Sequence, residues 1–265
     1  MKFAAAASIA AISLSACATA DRSETTTGVY DPFEGWNRGV YEFNEVVDKA
    51  AIEPVAKAYR YGTPGLFRDG VSNFLTNLRQ PIVFTNTVLQ GEIDASGETF
   101  GRFLINSTLG VVGIFDVASA WGVAEHNEDF GQTLGVWGVS EGPYLMLPLL
   151  GPSNLRDTVG MGVDRGFDPL TWIEFDSDNH LDDQIAVGRT VIGAISARAS
   201  LIEAIETLRE QPEPYVALRR NYTSQRRAAI RNGEIEEDPY KDLPDFDDFG
   251  DFEEDEGSGP ATEQD

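Results

Sequence analysis

The sequence predicts a mostly α-helical fold, on three observations. Apolar residues recur at helical spacing in several long segments, no run of alternating residues is long enough for several strands, and a glycine-rich middle breaks the pattern. In chain order, the first helix starts at Trp36, where Trp36, Val40, Phe43, Val47 and Ala50 form an apolar stripe between Glu42, Asn44, Glu45, Asp48 and Lys49. A second begins at Thr63 and Pro64, a cap residue followed by a first-turn proline. It carries Phe67, Val71, Phe74, Leu75 and Leu78 before Pro81 interrupts it. Pro81 opens a third helix, closed by Gly91, and residues 92–109 form a fourth with Phe100, Phe103 and Leu104 on one side. Residues 109–151 hold Gly110, Gly113, Gly122, Gly131, Gly135, Gly138, Gly142 and Gly151 among Val, Ile, Leu, Phe and Trp, which reads as short broken helices and turns. Residues 154–164 form a weaker helix because of Gly160 and Gly162. The clearest is 181–210, with a stripe through Leu181, Ile185, Ile192, Ile195, Ala199 and Ile202 and with Asp182 and Asp183 in its first turn. Pro212 and Pro214 end it, and 214–232 makes a last, basic helix.

The chain has 265 residues and a formal net charge of -24, unevenly spread. Residues 234–265 hold fifteen acidic residues against Lys241 alone, with Tyr240, Phe246, Phe249 and Phe252 scattered among them. Such a segment cannot bury enough apolar surface to fold by itself. It reads as a disordered acidic tail, either simply solvated or a docking tail for a basic partner. Nucleic acid is not expected as a partner, because phosphate binding needs a basic face. At the other end, Lys2 precedes an apolar run over residues 3–14, followed by Leu14, Ser15, Ala16 and Cys17. That is a signal peptide over 1–16, too short to span as a mature helix. Its ending resembles the bacterial lipobox, in which cleavage before the cysteine frees it for acylation. Cys17 is the only cysteine and can form no internal disulfide. Acylated at Cys17, the chain would be held at a membrane, with 17–30 as a polar tether.

Chemistry is harder to find. Gly138, Ser140 and Gly142 make a G-x-S-x-G pattern, and residues 134–139 can pass for the preceding strand. Pro143, Pro148 and Pro152 spoil the helix that must follow a nucleophile elbow, and the one downstream histidine, His180, sits in an acidic loop. The two histidines, His126 and His180, lie far apart without metal-ligand spacing. Asp176, Asp178, Asp182 and Asp183 lack the glycine and glutamate of a calcium loop. Residues 104–124 are apolar enough to be weighed as a membrane span, but Asn106, Gly110, Gly113 and Asp116 argue against it. Apolar elements that do not span, on a lipid-anchored chain, point to burial in one leaflet.

The motifs then line up: DPFEGWNR at 31–38, FN at 43–44, VSNFLTNLRQP at 71–81, VLQG at 88–91, GRFLINSTLGVVGIFDVAS at 101–119, EDFGQTLGVWGV at 128–139 and GPYLMLPLLGPSNLRD at 142–157. In this order and spacing the chain resembles the MlaA (VacJ) lipoprotein family over about 31–233. The residues that carry the match include Asp31, Pro32, Trp36, Asn37, Arg38, Asn73, Phe74, Gly142, Pro143, Tyr144, Arg156 and Asp157. The resemblance implies a ring-like assembly of amphipathic helices lying in the inner leaflet of the outer membrane around a channel. It implies phospholipids as cargo, a porin and a soluble periplasmic carrier as partners, and no cofactor or nucleophile. It also implies a controlling loop at about 104–118. There Gly110 and Gly113 are hinge candidates, and Leu109, Val111, Val112, Ile114 and Phe115 are lipid contacts, with core packing as the competing reading. Arg156 and Asp157 are read as an internal salt bridge, as a helix-start cap or as head-group contacts. Two rival functions stay open: a phospholipase using Ser140, and a structural lipoprotein that scaffolds porins.

Overall fold

The computed structural model describes residues 28–172 and 181–232. Cys17, the segment 1–16, most of the 17–30 tether, His180, Asp176 and Asp178, and the acidic tail 234–265 lie outside the described residues.

Helix α1 (Glu34–Val47) runs through a π-helical turn (Asp48–Ile52) into α2 (Glu53–Gly62). Next come α3 (Gly65–Gln90) and α4 (Ile93–Thr108), which pack side by side, then the short α5 (Val117–Ala120) and α6 (Phe130–Val136). A hairpin of β1 (Tyr144–Leu147) and β2 (Gly151–Asn154) pairs Tyr144 with Asn154 and Leu147 with Gly151. It leads into α7 (Leu155–Phe167), whose cap is Asn154. The chain closes with α8 (Leu181–Ser200), α9 (Ile202–Arg209) and α10 (Pro214–Ile230). The mostly helical architecture expected from periodicity is what forms.

Four details differ from the sequence reading. Pro81 does not break the second helix: α3 is continuous, with Gln80 and Val83 buried on either side of the proline. Packing over 26 residues outweighs the roughly 3 kcal/mol that an internal proline costs. Glycines do not weaken α7, because Gly160 packs against the backbone of Gly131, where an added Cβ would lie 2.4 Å from the Gly131 nitrogen. The segment 134–139 is no strand; it is the end of α6 and the turn after it, and the strands are 144–147 and 151–154.

Finally, 181–210 is not one helix. It bends by 63° at Leu201. Arg198 and Arg209 would stand about 16 Å apart along a straight helix. After the bend both reach Asp48 Oδ2, at 2.9 and 2.7 Å, and both bond Glu53. Asp48 opens the π-helical turn, so an irregularity in one element receives the arginines of two others.

The small apolar core sits where α1, the hairpin and α10 meet, at Val29, Val40, Tyr144, Met146 and Tyr215. Tyr41 and Tyr144 meet the Tyr215 ring edge-on, at 5.9 and 6.2 Å between centroids. Elsewhere the usual distribution is inverted. Among the described residues, 11 hydrophobic side chains are buried against 21 polar or charged ones, while 33 large hydrophobic side chains are exposed. A buried set dominated by polar side chains beside so many exposed large apolar ones is the arrangement expected of a chain that meets an apolar environment.

Candidate functional site

Two cavities lie against α3, and the spacing along that helix explains both. Phe67, Val71, Phe74 and Leu78 repeat every three or four residues and put an apolar stripe on one face. Arg68, Ser72, Thr76 and Arg79 do the same on the adjacent face. The apolar stripe lines a cavity of about 720 Å³ closed by Ile185 and Ile192 of α8 and by Ile114. The polar stripe lines a second, of about 780 Å³, with Tyr59 and Arg60 of α2 and Ser196 of α8. Leu75 belongs to both walls. Both volumes fall in the roughly 300–1,000 Å³ range of small-molecule sites.

Ile114 comes from the loop between α4 and α5. Leu109, Val111, Val112, Ile114 and Phe115 are all exposed, so of the two readings of these residues core packing is the one the structure does not support. The loop is nonetheless firmly seated. Asn73 donates to the Ile114 carbonyl at 3.2 Å, and Asn77 donates to Ser107 Oγ at 2.9 Å. Gly113 has a φ of 90°, and a Cβ there would fall 2.4 Å from Asn77 Cβ; at Gly110 it would fall 2.2 Å from the Phe115 carbonyl oxygen. These two glycines are required by close approach. Val111 and Val112 also have left-handed φ values, 55° and 59°. For β-branched residues this costs on the order of 1–3 kcal/mol each. Hydrogen bonds from Val112 N to Ser107 O and from Phe115 N to Gly110 O oppose that strain.

The loop base is polar and buried. Arg102 donates to Asp116 Oδ2 at 2.9 Å and to the Val123 carbonyl at 2.7 Å, and Asn106 donates to Asp116 Oδ1 at 2.9 Å. Burial pushes the Asp116 carboxyl up, but hydrogen bonds from Ser119, Asn106 and Arg102 outweigh it and bring it down to about 2. Further along the interior, Asn86 links Thr133 and Asp164, and Gln90 links Glu128 and Thr133. Burial raises the Asp164 and Glu128 carboxyls above the ordinary range.

The motif residues divide between framework and surface. Asp31 is fully buried and accepts from Asn37 at 2.8 Å, from Tyr215 at 2.5 Å and from Arg219 at 2.6 Å. Asn37 also holds one edge of β1, donating to the Tyr144 carbonyl and accepting from Met146 N. Asp157 accepts from Asn154, Arg156, Tyr222 and Arg226, so Arg156 and Asp157 form an internal salt bridge, while the cap of α7 is Asn154, whose side chain accepts from Asp157 N. Arg38 bonds Glu34 and lies 4.7 Å over the Tyr215 ring. The Pro143 carbonyl accepts from Leu155 N, and Gly142 packs on Leu155. Pro32 and Trp36 are exposed, and Phe74 lines the apolar cavity. Ser140 is exposed beyond α6, with no side-chain hydrogen bond to a described residue; His126, the one histidine among the described residues, bonds Glu98 at 2.6 Å. No group of three or more His, Cys, Asp or Glu among the described residues could hold a metal ion.

Sequence reasoning missed the polar cavity wall of Tyr59, Arg60, Arg68 and Arg79. The signal was present as a polar stripe one residue out of step with the apolar one, but a polar helix face reads as a solvated one until α2 and α8 are seen to stand over it.

Apolar outside and polar inside, with paired cavities, this chain is a helical protein built to sit against lipid. No single helix among the described residues is long and apolar enough to cross a membrane; one bent pair, Gln184–Ser200 with Ile202–Arg209, passes by length and composition. The family model described as MlaA lipoprotein matches residues 29–229, and the chain belongs to that family. It is 37% identical over 210 residues to proteins named intermembrane phospholipid transport system lipoprotein MlaA from Escherichia coli and Shigella flexneri, covering 78% of this chain and 80% of each relative. The Haemophilus influenzae protein of the same name is 29% identical over 240 residues, covering 89% of this chain and 93% of the relative. A solved structure described as the structural basis for maintenance of bacterial outer membrane lipid asymmetry superposes with a TM-score of 0.67 at 34% identity. The match covers 76% of this chain and 98% of that one.

Proposed function

We propose that this chain is an outer-membrane lipoprotein that removes mislocalised phospholipids from the outer leaflet and passes them through its interior to a periplasmic carrier. The observation that carries the reading is the inverted distribution of side chains, with an apolar and a cationic cavity meeting at Leu75. An amphipathic cargo needs both, and a disc that keeps its apolar rim in one leaflet needs no complete span. The names of the relatives support the same cargo.

In this account residues 1–16 are removed, acylated Cys17 and the 17–30 tether anchor the chain, and 31–233 form a ring in the leaflet. An outer-membrane porin is the neighbour in the membrane. Leu109, Val111, Val112, Ile114 and Phe115 contact lipid, and hinge motion at Gly110 and Gly113 has to release Asn73 and Asn77 first. Transport of this kind uses no cofactor; the chain supplies a polar path past a membrane-level apolar barrier.

A photo-reactive amino acid placed at Leu75, compared with one at the exposed Lys49, tests the path in cells. The account expects phospholipid captured at position 75 and not at 49. Equal capture at both would refute an interior route.

A further inference from the structure

Resting on that lipid-transport reading, we infer that the polar cavity between α2, α3 and α8 is a station for the lipid phosphate, with Arg79 as its specificity-determining contact. Its wall carries three guanidinium groups against one carboxylate, Asp69. Arg60 donates to the Ala199 carbonyl at 3.1 Å and pairs with the exposed Glu203 at 2.9 Å. Arg68 donates to the carbonyls of Arg60, at 2.6 Å, and of Thr63, neutral acceptors that leave its charge uncompensated. Arg79 makes no hydrogen bond or ion pair with any described residue. It lies within electrostatic reach of Asp129 and Asp164, but Asp129 is already held by Arg226 through two hydrogen bonds and Asp164 accepts from Asn86 and the Phe130 amide.

A second observation is independent of charge. The Tyr59 hydroxyl, also in this wall, is buried with no hydrogen-bond partner. A buried unpaired hydroxyl is costly, and a turn of the Tyr59 side chain toward the cavity would let a phosphate oxygen pair with it. Guanidinium forks match phosphate oxygens in the same way.

The neighbouring cavity says which phosphate. Its one charged lining residue, Arg189, is paired with Asp168, so nothing there repels hydrocarbon. Along α8 the lining passes from Ile185, Gly188 and Ile192 on the apolar side to Gly193, Ser196 and Ser200 on the polar side. A phosphodiester in one chamber and its acyl chains in the other fit this order, whereas a free anion leaves the apolar chamber unexplained.

The test is native mass spectrometry of the full lipidated chain in detergent. The probes are phosphatidylglycerol, phosphatidylethanolamine, diacylglycerol with the same chains, and inorganic phosphate. Wild type is expected to bind both phospholipids about tenfold or more tightly than diacylglycerol. Arg79→Gln is expected to lose about that factor for phospholipid with diacylglycerol binding unchanged, and Arg79→Lys to keep most of it. Equal binding of phospholipid and diacylglycerol by wild type overturns the station while leaving transport intact. An Arg79→Gln loss that is the same for both overturns the specific role of Arg79. Inorganic phosphate bound through Arg79 without preference for phospholipid makes the cavity a free-anion site and overturns the lipid assignment. If no lipid binds, the transport reading falls first and this inference with it.

Discussion

At the scale of single residues, buried charges fix the architecture. Asp31 sits at 0% side-chain exposure with Arg219 at 3%, so removing one strands the other. Asp31→Ala is expected to cost about 3 kcal/mol or more, read as a lowered melting temperature in detergent. Gly113→Ala is expected to destabilise more than Gly122→Ala. Both have positive φ, for about 1–2 kcal/mol of backbone strain, but only Gly113 has Asn77 in the way. Asp116 gives a pH signature. Its folded carboxyl lies at about 2 against an ordinary 3.8, so its contribution is complete above about pH 4 and is lost as pH falls through about 2. Protection factors at Gly113 and Ala118, amide exchange rates corrected for their intrinsic pH dependence, should be flat from neutral pH down to about 5 and fall below about 4; a fall already at pH 6 would contradict this. Asp31, Asn37, Arg156 and Asp157 were legible as motif residues. Their partners Tyr215, Arg219, Tyr222 and Arg226 were legible only as a basic helix, because a pairing across 65 to 188 residues of chain leaves no local pattern.

At the scale of elements, irregularities do the positioning. The π-helical turn and the bend at Leu201 bring Arg198 and Arg209 onto Glu45, Asp48 and Glu53. Hydrogen bonds from Lys57 and Arg209 bring the Glu53 carboxyl down to about 2. Arg209→Ala should therefore loosen α9 and raise amide exchange over Ile202–Arg209 at least tenfold, without matching change in α4; uniform change would mean that the bend is set elsewhere. Helical periodicity made most helices readable. It failed at Pro81, where tertiary packing overrode propensity, and at 181–210, where apolar spacing continues unbroken through a bend made by charges. The hairpin escaped because its strands are four residues each, with Pro152 inside one, and its register is held by Asn37 and Asn44 of α1.

At the scale of the whole molecule, a polar interior within an apolar exterior is a lipid-side fold, and the anchor at Cys17 is what would keep it there. Composition could not reveal the inversion, since 42% hydrophobic content suits a soluble domain equally well. Only packing separates the two. Cys17→Ala is expected to release the protein from the outer membrane and abolish complementation; full complementation from the soluble periplasm would contradict the anchor. The most direct test of the central claim is the outer-leaflet phospholipid level of intact cells lacking this gene, complemented with wild type or Ser140→Ala. The account predicts that deletion raises surface phospholipid and that both versions restore it. Unchanged surface phospholipid on deletion, or a Ser140→Ala protein present at normal levels that fails to restore it, would contradict the account.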